Sequence, residues 1–322
     1  MFRQLRHRQT NGAANSRVGA NLTAPHLDST VSNHSRIMPI VTKDNATEAF
    51  RFIAPVVKVA LNGTPTLIGT AFFITRTGIV VTAKHVILDN IDKYSRDVGG
   101  IGILCTYGSH AGVYRSLKHS YWHSDADIAV SETSRFANEN GEEILNDVLS
   151  LSVLPQSVDE PISTQFFHDP DLEPDQSILN EPGNPLVSWR FEFDLQFQAS
   201  GPSTPNTDGD VKRFTPAARI TRGRLTNYFP NGRDTVMLPF PAFESNMPIY
   251  AGASGGPVFN TQGKVIAINC TRFEGTDVAY HTDITCLLDL PVDNTVTESD
   301  QIPRARTIRE LAELGFISVE GL

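Results

Sequence analysis

At 322 residues, with 40% hydrophobic and 20% charged side chains, the chain has the composition of a globular protein long enough for two units with their own cores. A formal net charge of −9 argues against a nucleic-acid partner, and no apolar run reaches the length that spans a bilayer. The three cysteines, Cys105, Cys270 and Cys286, are an odd number. That count suits free buried thiols in a reducing, cytoplasmic setting better than a disulfide framework, although a Cys270–Cys286 pair stays open.

Residues 1–48 read as a disordered basic tail. In its first 37 residues Arg3, Arg6, Arg8, Arg17 and Arg36 face a single acid, Asp28, among many Asn, Ser and Thr. The basic start has no apolar core of the kind a secretory signal needs. It also fits a mitochondrial transit peptide, or a tail ahead of a second start at Met38. From about residue 50 strand signals are dense. Residues 52–61 are β-rich, Asn62-Gly63 signals a hairpin turn, residues 66–75 return, and Thr77-Gly78 turns into a strand ending at His85. Strands near 101–107, 112–117 and 128–130 complete a first barrel within residues 49–150. A second barrel, 151–300, takes strands at 186–197, 218–225, 235–238, 257–260, 264–270 and 278–282. Polar stretches at 168–185 and 201–210 read as solvated insertions. Residues 301–322 carry a helix: Thr307-Ile-Arg-Glu310 is a capping box, Ile308, Leu311 and Leu314 make one apolar stripe, and Gly315 stops it. The local hairpins make the fold class all-β.

The chemistry is concentrated in three segments. Gly252-Ala-Ser-Gly-Gly-Pro257 places Ser254 among glycines that let the backbone turn. A serine hydroxyl is a poor nucleophile at neutral pH and needs a base, and imidazole titrates nearest working pH. His85, at the end of the apolar run Gly78-Ile-Val-Val-Thr-Ala-Lys-His85, is the candidate for that base. Asp127, opening Asp127-Ile-Ala-Val130, is the carboxylate that would hold one tautomer and stabilise the imidazolium. The amides of Gly252 and Ser254 are the candidate oxyanion donors, each worth about 3–4 kcal/mol in the transition state.

In the chain order His, Asp, Ser, these segments resemble the trypsin-like, chymotrypsin-fold serine proteases, and in particular bacterial single-chain peptidases. Gly69-Thr-Ala-Phe-Phe-Ile74 and Gly263-Lys-Val-Ile-Ala-Ile-Asn269 extend the match, so it spans roughly residues 50–317. The resemblance implies two antiparallel six-stranded β-barrels with the active site between them, and a terminal helix packed on the second barrel. It implies a serine endopeptidase that forms an acyl-enzyme on Ser254, with protein or peptide substrates and no cofactor. It also implies a substrate pocket built from Pro248, Ile249, Tyr250, Cys270, Thr271 and Asp277. The pocket base lacks an acid and reads as apolar, suiting small or medium apolar P1 residues, unless Asp277 lies on its wall and recruits a basic side chain. Zymogen-activated relatives carry an Asp just before the nucleophile; Ala253 stands there, so activation through a new N-terminal ammonium is ruled out.

Other readings compete. An α/β-hydrolase would need an acid and a histidine after the serine, as Asp277 and His281 would supply, on a parallel sheet. Asp125 competes with Asp127 as the acid. His119, His123 and Asp125 resemble a metal set, although an extended segment would turn alternate residues to opposite sides; no metal is assigned. The same fold with a collapsed oxyanion hole would be a catalytically silent pseudoprotease acting as a protein-binding module.

Overall fold

β-Branched and aromatic side chains are stiff at χ1 and fit a pleated surface, and they dominate the segments that form strands. The computed structural model describes residues 51–60, 63–91, 98–107, 110–134, 137, 140–141, 143–168, 188–190, 193–195, 212–273, 276–292 and 307–322. The basic segment 1–48 and most of the polar stretches 168–185 and 201–210 lie outside them.

Six strands close the first barrel: β1 (Ile53–Ala60), β2 (Pro65–Phe73), β3 (Ile79–Thr82), β4 (Val98–Tyr107), β5 (His110–Trp122) and β6 (Ala129–Thr133), in the order β1-β2-β3-β6-β5-β4. All of its pairings are antiparallel. β3 is buried along its whole length, and its Val80 and Val81 sit in the main hydrophobic core. Each such side chain contributes about 1.5–3 kcal/mol through burial. The strand stops at Thr82 rather than running on to His85. Lys84–Leu88 forms a one-turn helix, α1, with Ala83 as its N-cap, because Val86 and Ile87 bury one face of that turn.

The later strands are β7 (Leu151–Ser152), β8 (Pro161–His168), β9 (Ser188–Arg190), β10 (Phe193–Leu195), β11 (Lys212–Phe214), β12 (Ala217–Phe229), β13 (Ala242–Ser245), β14 (Pro257–Phe259), β15 (Val265–Arg272), β16 (Ala279–Asp283) and β17 (Val319–Glu320). The second barrel runs β14-β8-β12-β13-β16-β15 and closes through the β14–β15 pairing. β7 adds to β15 and β17 to β7, both in parallel. The expected strand at 235–238 does not form. Asp234 Oδ1 accepts the amides of Val236 and Met237, a local side-chain bond that takes backbone donors from any ladder, and β13 forms further on instead. At the C-terminal end Thr307 and Glu310 make the reciprocal capping box of α2 (Ile308–Glu313). Ile308 and Leu311 are buried, whereas Leu314, at the C-cap, is exposed. No helix among the described residues is long and apolar enough to cross a membrane.

Candidate active site

Where the two barrels meet, the segment before Pro257 lies against β2. The Thr70 amide donates to the Ser254 carbonyl at 2.9 Å, and its hydroxyl donates to the Gly252 carbonyl at 2.8 Å while accepting the Phe167 amide at 2.9 Å. A fully buried threonine of the first barrel therefore fastens both sides of the Gly-Ala-Ser turn and one strand of the second barrel. Glycine is required at two points of this turn. Gly252 has φ +91°, and a Cβ there would stand 2.6 Å from the Phe167 carbonyl; Gly255 has φ +83°, and its Cβ would meet Thr82 Oγ1 at 2.3 Å.

α1 and the bend after β5 bring the other two residues together. His85 Nδ1 lies 2.7 Å from Asp127 Oδ2, and the His85 amide donates to Oδ1 of the same carboxylate at 2.9 Å. The pair fixes the ring: Nδ1 carries the proton toward the carboxylate, leaving Nε2 as the basic nitrogen. Burial by itself would lower the His85 pKa, but the hydrogen bond and charge of Asp127, joined by Asp89, raise it above the ordinary 6.5. Burial would likewise raise the Asp127 carboxyl; the bond and charge of His85, the Cys270 thiol and the His85 amide hold it below the ordinary 3.8.

Cys270 faces Asp127. Its thiol donates to Asp127 Oδ2 at 3.0 Å, and burial, followed by the charge of Asp127, pushes its pKa well above 9.0, so it stays a neutral S–H donor. None of the three cysteines is in a disulfide. The Ser254 hydroxyl is directed at the Cys270 carbonyl at 3.5 Å rather than at His85. Among the described residues, the amides of Gly252 and Ser254 have no protein acceptor. Ala253 is buried, and its amide donates to the Tyr250 carbonyl.

The competing residues lie elsewhere. Residues 123–127 form a bend rather than a strand: His123 Nδ1 accepts the amides of Asp125 and Ala126, and Lys84 donates to the carbonyls of His123 and Ser124. Asp125 is exposed and accepts the Ser124 hydroxyl, and His119 Nδ1 meets Glu132 at 3.1 Å on the strand face beyond. His281 is buried between Ser245 and Asn269, and Asp277 is exposed, so the pair does not serve Ser254. The sheet is antiparallel here, unlike that of an α/β-hydrolase.

Of the expected pocket residues, Ile249 and Tyr250 are buried against Phe166, Ala253 and Ala279, while Pro248 and Thr271 are half-buried. Two arginines absent from the sequence reading converge here. Buried Arg219, on β12, holds its guanidinium carbon 4.8 Å from the centre of the Tyr250 ring, and Arg272 stands at 5.7 Å. Both are within cation–π range.

The family model of the trypsin-like peptidase domain matches residues 69–268, more than half of the chain. The chain belongs to the trypsin-like peptidase family. No curated protein matches this peptidase domain by sequence. Among solved structures it is similar to the active form of the Rv3671c protease from M. tuberculosis, with 11% identity and a TM-score of 0.44 over 76% of this chain and 82% of that one. It is also similar to Deg5, with 15% identity and a TM-score of 0.44 over 76% of this chain and 92% of that one.

The contacts that Thr70 and Asn269 make to this turn were not legible in the sequence. Thr70 and Asn269 lie inside motifs that extend the family match, but nothing in a threonine or asparagine on a strand signals which backbone carbonyl it will meet.

Proposed function

We propose that the chain is a serine endopeptidase in which Ser254 is the nucleophile, His85 the general base and Asp127 its orienting carboxylate. The single observation that carries this reading is the His85 Nδ1–Asp127 Oδ2 hydrogen bond of 2.7 Å, formed between side chains 42 residues apart, beside a Gly-Ala-Ser turn held by Thr70. The Ser254 hydroxyl leaves the Cys270 carbonyl and attacks the scissile carbonyl carbon as its proton passes to His85 Nε2. The resulting oxyanion is stabilised by the amides of Gly252 and Ser254. Collapse breaks the C–N bond, the leaving amine takes the proton from His85, and water then releases the acyl group by the reverse proton path. Catalytic hydrogen bonds are often loose without substrate, which accounts for the resting direction of the hydroxyl.

That same resting direction, away from His85, favours a second reading in which the domain is catalytically silent and binds peptides. A fluorophosphonate probe separates the two. Stoichiometric labelling of the wild type, lost in Ser254→Ala and depressed in His85→Ala, is the expected result. An unlabelled, folded wild type would leave only the binding module. Because the triad acts as a unit, the double variant should hydrolyse peptides little worse than either single one.

A further inference from the structure

Behind the nucleophile turn lies a chain of buried polar groups whose every donor has an acceptor. The Met247 amide donates to Ser245 Oγ at 3.2 Å, and Ser245 Oγ lies 2.7 Å from His281 Nε2. His281 Nδ1 lies 3.1 Å from Asn269 Oδ1, and Asn269 Nδ2 donates to Thr164 Oγ1 at 2.8 Å and to the Ala253 carbonyl at 3.2 Å. Thr164 Oγ1 in turn donates to the Pro257 carbonyl at 2.7 Å. The direction of the chain follows from chemistry. A backbone carbonyl only accepts, so the atom of Asn269 that faces Ala253 is its NH2, and its oxygen faces His281. His281 then donates from Nδ1 and accepts the Ser245 hydroxyl at Nε2. Burial, which pushes its pKa down to about 3, keeps it in that neutral form. Asn269 and His281 are both fully buried.

The Ala253 carbonyl, which also accepts the Gly256 amide at 2.9 Å, belongs to the peptide unit whose N–H is that of Ser254. In a planar trans peptide the two point in opposite directions, so anchoring the carbonyl in the interior sends the Ser254 N–H outward. The backbone of Asn269 clamps the rest of the turn, accepting the Gly255 amide at 2.8 Å and donating to the Gly256 carbonyl at 2.9 Å. We infer that Asn269, held by His281 and Ser245, is a positioning residue that sets the oxyanion donor of Ser254. The inference rests on the peptidase reading for its catalytic consequence but not for its structural one.

Two readouts divide these. For a wild type that labels with fluorophosphonate, Asn269→Leu and His281→Phe should lower kcat on a peptide ester about 10²-fold. KM should stay within about two-fold, and the affinity of a peptide boronate, whose adduct needs the same donors, should weaken by a similar factor. His281→Asn, which restores an N–H toward Asn269, should recover much of the loss, and Ser245→Ala should show a smaller effect of the same kind. If Asn269→Leu does not fold, Ser245→Ala and His281→Asn decide. Full kcat and boronate affinity in folded variants, or a loss confined to thermal stability, would overturn the inference. The amide resonance of Ser254 reports its peptide orientation without turnover. It should move in His281→Phe and return in His281→Asn. Moved resonances in a wild type inert to the probe would keep the relay and remove the peptidase; unmoved ones in a labelled wild type would do the reverse.

Discussion

The Cys270 thiol and the Asp127 carboxylate meet at 3.0 Å, so the acid that orients His85 is itself held from the second barrel. The contact gives a neutral donor to a carboxylate that already accepts two bonds from His85. Cys270→Ala should therefore loosen Asp127 and lower kcat/KM by about ten-fold, while Cys270→Ser, which keeps a donor, should stay near wild type. Because the thiol is buried with a raised pKa, alkylation of the native protein should leave Cys270 unmodified until it unfolds, as mass spectrometry of the labelled peptides will show. Rapid native labelling of Cys270 would contradict this placement.

A pH–rate profile should show His85 losing its proton above its ordinary 6.5, since the base must be neutral to accept the serine proton. The acid limb of kcat/KM should consequently have its midpoint above 6.5. Asp127→Asn removes the group that raises it, and should shift the limb downward and cut the rate about 10⁴-fold.

The same pair predicts a stability window. A raised histidine pKa contributes stability that is complete below 6.5 and fades as pH rises through the folded value, whereas a lowered carboxylate pKa contributes stability that is complete above 3.8 and fades on acidification. Their joint contribution is thus largest between about pH 4 and 6.5. The difference in unfolding free energy between wild type and a His85→Ala, Asp127→Ala double variant should peak there, and a difference flat with pH would count against the pairing.

Thr70 fastens the Gly252-Ala-Ser254 turn through one hydroxyl. In Thr70→Val the shape is nearly preserved but the Gly252 carbonyl and the Phe167 amide lose their partner, at about 1–3 kcal/mol for each buried group left unpaired. Chemical denaturation should register that loss, and hydrolysis should fall further than stability alone explains. Wild-type activity in a destabilised Thr70→Val would reduce the residue to a structural tie.

In the proposed substrate pocket Arg219 and Arg272 stand over the Tyr250 ring and Asp277 is exposed, so basic P1 side chains should be disfavoured. In a P1-varied peptide library, Asp277→Asn should leave the profile unchanged and Arg272→Glu should improve cleavage after Lys or Arg. A dominant Lys or Arg preference lost in Asp277→Asn would reverse this assignment of charge.

Local patterning made much of the architecture legible. β-Branched runs separated by turn residues announced antiparallel strands, and Thr307 with Glu310 announced a helix start, because such signals depend on neighbours in the chain. Where local chemistry was overlooked, the expectation failed: Asp234 captured the amides of a segment that looked like a strand, and the strand expected to end at His85 stopped at Thr82 and gave way to a helical turn in which Val86 and Ile87 are buried. The order His85, Asp127, Ser254 was visible because each lies in a segment with its own pattern. What the chain order does not contain is which backbone groups meet across the barrels. Thr70 meets the Gly252 carbonyl 182 residues away, Cys270 meets Asp127 143 residues away and Asn269 meets the Ala253 carbonyl 16 residues away, each a strand residue reaching a turn or bend, and a small polar residue on a buried strand looks the same whether it fastens such a turn or merely fills a ladder position. Only the tertiary fold brings those donors to their acceptors, the first two across the barrels and the third within the second barrel.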